Sequence, residues 1–249
     1  MPQLKAYHRP KTVQEALQLL SRPQINSAIL AGGTYTIARL SERVDEVVDL
    51  QAIGLTNVDF TGKGVMLGAM VRLQTLVDDN RMPDLLRRAT RREGPNTMRN
   101  VATIGGVIAG PYRESELLAA LLVLDAQVKI QTITDTKTIL LNDFLLDVPA
   151  ALNSGLITSV SLATMGKTAT ACVGRTPADT SIVAAIGRIA DDGQIRLALT
   201  GVANLPVLVD PNNVKAAVNP ISDFRGSKEY RRHMAATLTK RVLAQLTAA

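Results

Sequence analysis

The sequence predicts an α+β fold in two units, one over residues 1–165 and a smaller one over 166–249, and three observations carry that reading. Amphipathic helical spacings are interspersed with short strand-like runs along the whole chain. Turn residues join neighbouring runs into hairpins. At Met165-Gly166-Lys167 the composition shifts, and strands then precede one long terminal helix. With 249 residues, 46% hydrophobic and 20% charged, the chain can bury a core and is neither disordered nor collagen-like nor a coiled coil.

Taken in order, Thr12-Val13-Gln14-Glu15 is a capping box, and Val13, Ala16, Leu17 and Leu20 give a first helix one apolar face. Ser27–Leu30 is a short strand running into Ala31-Gly32-Gly33-Thr34, and Tyr35–Leu40 has the spacing to open a helix. Val44–Leu50 reads as a strand. Asn57–Phe60 and Val65–Gly68 read as two strands joined by Thr61-Gly62-Lys63-Gly64. Arg72–Asp79 and Met82–Arg92 are helical, the latter with Pro83 in its first turn and Gly94-Pro95 behind it. Ser115 caps an apolar helix through Leu117, Leu118, Leu121, Leu122 and Leu124, which is core by composition. A hairpin over Ala126–Thr132 and Lys137–Leu141 and a strand over Leu156–Leu162 complete the first unit. In the second, Ala169–Val173, Ser181–Ile189 and Ile195–Val202 are strands. Ser227 caps a last helix with Tyr230, Met234, Leu238 and Val242 on one face.

Composition removes several classes of function. Aromatics are 3% with no Trp, too few for the stacking platforms of single-strand nucleic-acid readers. Cys172, the lone cysteine, forms no internal disulfide, and with only His8 and His233 beside it no zinc or iron–sulfur ligand set can be assembled, so no metal-binding residue is assigned. Cys172 reads as a small buried residue, and both histidines as structural. No Ser-His-Asp or Cys-His arrangement is present, so no catalytic residue is assigned. The N-terminus lacks an apolar leader and no apolar run approaches a membrane span, so the chain reads as cytoplasmic. The net charge of +6 is concentrated between Arg81 and Arg99, where Asp84 and Glu93 oppose the arginines in the pattern of a solvated helix face rather than a nucleic-acid surface.

Two glycine pairs at strand ends stand out. Ala31-Gly32-Gly33-Thr34 and Thr103-Ile104-Gly105-Gly106 each place amides and a hydroxyl where no Cβ screens them, an arrangement suited to a phosphate. Neither matches the Rossmann fingerprint or the P-loop. In their full context, with Tyr7-His8-Arg9-Pro10, Leu67-Gly68-Ala69-Met70-Val71, Met98–Gly106, Leu121–Ala126, Gly174–Asp179 and Asp223–Arg232, the chain resembles the flavin-binding medium subunits of the molybdenum hydroxylases, the xanthine dehydrogenase and carbon monoxide dehydrogenase flavoproteins.

The resemblance covers nearly the whole chain. It implies a vanillyl-alcohol-oxidase (PCMH) type FAD fold over 1–165, with a carbon-monoxide-dehydrogenase-flavoprotein-like C-terminal domain over 166–249. FAD would be bound noncovalently. By position, Leu30, Ala31, Gly32, Gly33, Thr34, Tyr35, Thr103, Ile104, Gly105 and Gly106 match the family's diphosphate and ribose loops, and Glu116 falls where the family has an Asp near the cofactor. The implied partners are a molybdopterin-binding large subunit and a small subunit carrying 2Fe-2S clusters, in a heterotrimer. The implied role is electron relay to an acceptor such as NAD or a quinone.

The chain departs from the family pattern at Val107, where Asn is common, at Gly110-Pro111-Tyr112-Arg113, at Cys172 and at Tyr35. These departures motivate the alternative of a flavin-free subunit of the same fold that scaffolds an iron–sulfur or molybdenum partner. Arg113 either faces the diphosphate or pairs with Glu114 or Glu116. Tyr112 either stacks on the isoalloxazine ring or closes its loop.

Overall fold

The structure, a computed structural model, describes residues 4–176 and 179–248, so Pro177 and Ala178 of the Gly174–Asp179 segment lie outside the described residues. In chain order it builds β1 (Ala6–His8), α1 (Val13–Leu20), β2 (Ser27–Leu30), β3 (Glu46–Asp49), β4 (Val58–Thr61), β5 (Gly64–Gly68), α2 (Leu73–Asp78), α3 (Asp84–Arg91), α4 (Asn96–Arg99), α5 (Ile104–Ala109) and α6 (Glu116–Val123). Then follow β6 (Gln127–Gln131), β7 (Thr136–Leu140), α7 (Leu141–Leu146), α8 (Val148–Leu152), β8 (Leu156–Ala163), β9 (Lys167–Val173), β10 (Val183–Ile189), β11 (Ile195–Thr200), β12 (Val207–Leu208), α9 (Val214–Ala217) and α10 (Lys228–Thr247). By internal contacts these elements form two compact units, each drawn from three stretches of chain.

The first unit holds Met1–Thr75, Asn96–Gly110 and Gln127–Ser161. Its small sheet, in the order β1-β3-β2, is parallel throughout, and its larger sheet runs β4-β5-β8-β6-β7. Helix α1 begins as its capping residues dictate: Thr12 Oγ1 accepts from Glu15 N–H at 3.1 Å. The Glu15 carboxylate takes the Lys11 amide at 2.8 Å, one residue outside the usual reciprocal partner. The helix buries Ala16 and Leu17 against Val48, Leu50, Met70 and Leu156. Tyr35–Leu40 yields only a 3-10 turn at Ile37–Arg39, because the chain leaves Gly33 with φ +73° and must first turn back on itself.

The second unit holds Leu76–Pro95, Pro111–Ala126 and Leu162–Ala249. Antiparallel β12-β11-β10-β9 is packed by α10, while α6 lies against β10 and β11. With helices on both faces, β10 is buried from Val183 through Arg188. Helix α6 is apolar on every side because it is enclosed on every side, between α3 and the sheet. Pro83 serves as the N-cap of α3 rather than a first-turn residue.

On α10 the buried residues are Arg231, Ala235, Leu238, Thr239, Val242 and Leu246, so the buried stripe includes Leu238 and Val242 while Tyr230, 38% exposed, lies off it. The stripe differs from the expected one at its N-terminal end, where Arg231 rather than Tyr230 is buried, while Met234 still packs against the core. Ser227 caps it as its sequence requires, accepting from Tyr230 N–H at 3.1 Å. Replacing Ser227 with Ala is expected to lower stability by about 1 kcal/mol, read as a shift in urea midpoint at unchanged slope. Among the described residues no helix is long and apolar enough to cross a membrane.

Candidate functional site

Strand β2 ends at Leu30, and the segment that follows is held by contacts only glycine permits. A Cβ on Gly32 would lie 2.0 Å from the Val101 carbonyl oxygen and 2.9 Å from Ala102 Cα, so the loops after β2 and α4 meet backbone to backbone. Gly33 adopts φ +73°, a left-handed conformation costly for any residue with a Cβ. The Tyr35 ring covers Gly110 at the end of α5, where a Cβ would sit 3.0 Å from Cδ1. The structure thus brings Leu30–Tyr35 and Thr103–Gly106 together in the first unit.

The two glycine pairs differ in what their amides do. Among the described residues, the N–H groups of Gly32, Gly33 and Thr34 have no protein acceptor. Those of the second pair are consumed by the fold: Ile104 donates to the Val71 carbonyl at 3.0 Å and Gly105 to that of Ala69 at 2.9 Å. Gly106 donates to Thr103 Oγ1, the N-cap of α5, and Val107 to the Thr103 carbonyl. An apolar cavity lined by Ile29, Ala31, Gly105, Gly106, Leu156 and Ile157 adjoins both loops within the same unit. Unscreened, unsatisfied amides at a strand end suit an anionic diphosphate, and an apolar recess beside them suits the ring portions of a nucleotide.

Glu116 belongs to the second unit. It opens α6, is 7% exposed, and its Oε1 accepts from Arg92 Nε at 2.6 Å and from the Ser181 hydroxyl. Arg92 also donates to Ser181 Oγ and to the Asp179 carbonyl. Burial works against the Arg92 charge, but the Glu116 carboxylate outweighs it and raises the guanidinium pKa. The neighbouring Glu93 carboxylate accepts from the Tyr112 hydroxyl at 2.6 Å, the Ser115 hydroxyl at 2.8 Å and Leu117 N–H at 2.9 Å. Burial still pushes the Glu93 carboxyl up, and burial together with the Glu93 charge pushes the Tyr112 phenol up. Tyr112 therefore closes its loop. Arg113 pairs with Glu114 at 3.1 Å. The sequence carries no signal for these links, because no spacing rule connects Arg92 and Glu93 to residues nineteen or more positions on.

Arg81 and Arg88 pair locally with Asp79 and Asp84, as a solvated face should, but Arg92 and Glu93, expected on the same face, turn inward to Glu116, Ser115 and Tyr112. His8 pairs with Glu46 at 2.9 Å, a structural role. Cys172 is exposed, not buried: it sits on β9, an edge strand of its sheet, where alternate residues face outward. Among the described residues no three His, Cys, Asp or Glu side chains could hold a metal ion.

Residues 2–164 match the family described as the FAD binding domain in molybdopterin dehydrogenase, and residues 212–246 match the CO dehydrogenase flavoprotein C-terminal domain. The chain is 31% identical over 251 residues to the uncharacterized protein YgfM of Escherichia coli K12, covering 94% of this chain and 93% of that one. It is 28% identical to the glyceraldehyde dehydrogenase medium chain of Sulfolobus acidocaldarius, covering 97% and 98%. Among solved structures, a chain of the carbon monoxide dehydrogenase from Hydrogenophaga pseudoflava superposes with a TM-score of 0.87 at 22% identity, covering 99% and 98%. One from the quinoline 2-oxidoreductase of Pseudomonas putida 86 gives 0.83 at 20%, covering 98% and 97%.

The chain belongs to the family of FAD-binding domains of molybdopterin dehydrogenases. Its fold is the PCMH-type FAD-binding fold. More particularly, it is an FAD-binding medium subunit of the molybdenum hydroxylase type, an oxidoreductase component whose own cofactor is the flavin.

Proposed function

We propose that the segment from Leu30 through Tyr35 binds the diphosphate of a noncovalent FAD, with Thr103, Ile104, Gly105 and Gly106 as its buttress. The observation that carries this reading is the contrast in amides: those of Gly32, Gly33 and Thr34 are unspent, whereas those of the second pair hold the loop beneath them. The N–H groups of the first loop donate to the phosphates, and the backbone at Val101 and Ala102, just before the second loop, fixes their position through its contact with Gly32. Thr103, whose Oγ1 already accepts from Gly106, keeps its hydroxyl proton as a donor. Glu116, which only the family resemblance assigns to the cofactor, is held within the second unit by Arg92 and Ser181.

FAD, when bound, supplies the exchange between single-electron carriers and a two-electron acceptor. The chain's residues supply binding, orientation and exclusion of water. The division into a cofactor domain over 1–165 and a C-terminal domain over 166–249 belongs to the same proposal; the match over residues 2–164 supports the first, and the match over 212–246 falls within the second. So do the partners: a molybdopterin-binding large subunit and a 2Fe-2S small subunit in a heterotrimer, with NAD or a quinone as acceptor. The designations "medium chain" and "FAD-binding subunit" of relatives support this assembly.

The test is a visible spectrum of the purified chain, alone and with its partner subunits, followed by heat release and chromatography of any flavin. FAD near one per chain, absorbing near about 450 nm, is expected. A folded protein that stays colourless after reconstitution, and in an active complex, would instead establish the flavin-free scaffold.

A further inference from the structure

We propose that Gln51 is a positioning residue for the phosphate cradle: by donating to the Ala31 carbonyl it sets the plane of the Ala31–Gly32 peptide, and with it the direction of the Gly32 N–H. The inference rests on the reading of the Leu30–Tyr35 segment as the diphosphate site.

A trans peptide is planar, with its C=O and N–H pointing in opposite directions, so whatever grips the oxygen aims the hydrogen. The Gln51 Nε2 to Ala31 O bond is 3.3 Å long. The peptide two positions on is held in the same way, since the Gly33 carbonyl accepts from Ile37 N–H at 3.2 Å and so orients the Thr34 amide. Each amide aimed by a gripped carbonyl is one that has no protein acceptor among the described residues. A peptide flanked by glycine rotates more freely than any other, so a cradle built on one needs an external hold.

Gln51 is itself fixed. Its backbone N–H donates to Asp49 Oδ1 at 2.9 Å, and Asp49, 1% exposed, takes the Tyr7 hydroxyl on Oδ2, with Arg9 Nε 3.5 Å from the same oxygen. The chain of contacts therefore runs from Tyr7 and Arg9 through buried Asp49 to Gln51 and on to the loop. Gln51 is otherwise exposed, so truncating it opens no cavity, and its side chain has no described partner but the Ala31 carbonyl.

The experiment compares the full-length chain with its Gln51→Leu variant, both first freed of flavin and then titrated with FAD. FAD binding by the unsubstituted chain is measured first, and its absence would overturn the functional reading rather than the role of Gln51. In Gln51→Leu the FAD Kd is expected to rise about five- to tenfold, the size of one lost hydrogen bond. The 31P resonances of the bound diphosphate are expected to move, while the thermal midpoint of the flavin-free protein stays in place. A Kd within twofold of the unsubstituted chain overturns the proposal. So do unmoved 31P resonances, or a Kd change matched by an equal loss of flavin-free stability.

Discussion

Gly32→Ala is expected to give a folded protein that purifies with less than about a tenth of its normal flavin, an effect of at least about 1.4 kcal/mol on binding. The new methyl group would fall 2.0 Å from the Val101 oxygen, 2.7 Å from its carbonyl carbon and 2.9 Å from Ala102 Cα. All three are backbone atoms, so no side chain can swing away. The loop after β2 and the loop after α4 must instead separate by more than an ångström, and overpacking of this kind costs about 1–3 kcal/mol. For a chain of this size each kcal/mol lowers the melting temperature by about 2–4 °C, so flavin-free Gly32→Ala should melt several degrees early yet remain folded at room temperature. The flavin effect is larger because three amides that act together lose their common geometry. Flavin content by absorbance and melting by circular dichroism report the two effects separately. Normal FAD content in Gly32→Ala would show that apposition of the loops is not what builds the site.

The glycine loops were legible in the sequence because their signals are local. A strand ending in Gly-Gly, and a Thr three residues before Gly106, carry their conformational consequences within a few positions. The apolar core helix behind Ser115 was legible for the same reason. What could not be read was the fate of the amides: that the second pair is spent depends on carbonyls at Ala69 and Val71, more than thirty residues away. Gln51 gave no signal at all, since an exposed glutamine after a strand is ordinary until the Ala31 carbonyl is placed beside it.

Periodicity failed where elements are short or where a polar group occupies the core. Helices α7, α8 and α9 and strand β12 span two to six residues, too few to show a repeat. On α10 the apolar pattern runs through Tyr230, Met234, Leu238 and Val242; the last three pack on the core, but in the first turn the buried position is Arg231, a residue that hydropathy assigns to solvent. Cys172 was misplaced because composition favours burial of cysteine, whereas an edge strand exposes alternate residues whatever their type.

Arg231 carries the largest stability effect expected. Its side chain is 0% exposed and donates to both oxygens of Asp223, at 2.8 and 2.7 Å, and to the carbonyls of Ile182 and Gly201, at 2.7 and 2.9 Å. Among the described residues its Nε finds no acceptor. Asp223→Asn keeps the shape but leaves a buried guanidinium without its counter-charge, a loss of about 3–5 kcal/mol. The double variant Asp223→Asn with Arg231→Met removes both charges and is expected to be more stable than Asp223→Asn alone, because a buried pair replaced together costs less than one broken. Acid tests the same pair. Burial alone would raise the Asp223 carboxyl, but the Arg231 guanidinium and the N–H groups of Arg225 and Gly226 outweigh it and bring it down to about 2. A folded pKa below the unfolded value of about 3.9 means that the contribution is complete above about pH 4 and is lost as pH falls through about 2. Urea midpoints measured between pH 5 and pH 2 should therefore drop in that window more steeply for the unsubstituted chain than for the double variant. Parallel pH curves for the two proteins would show that the Asp223–Arg231 pair is not what acid breaks.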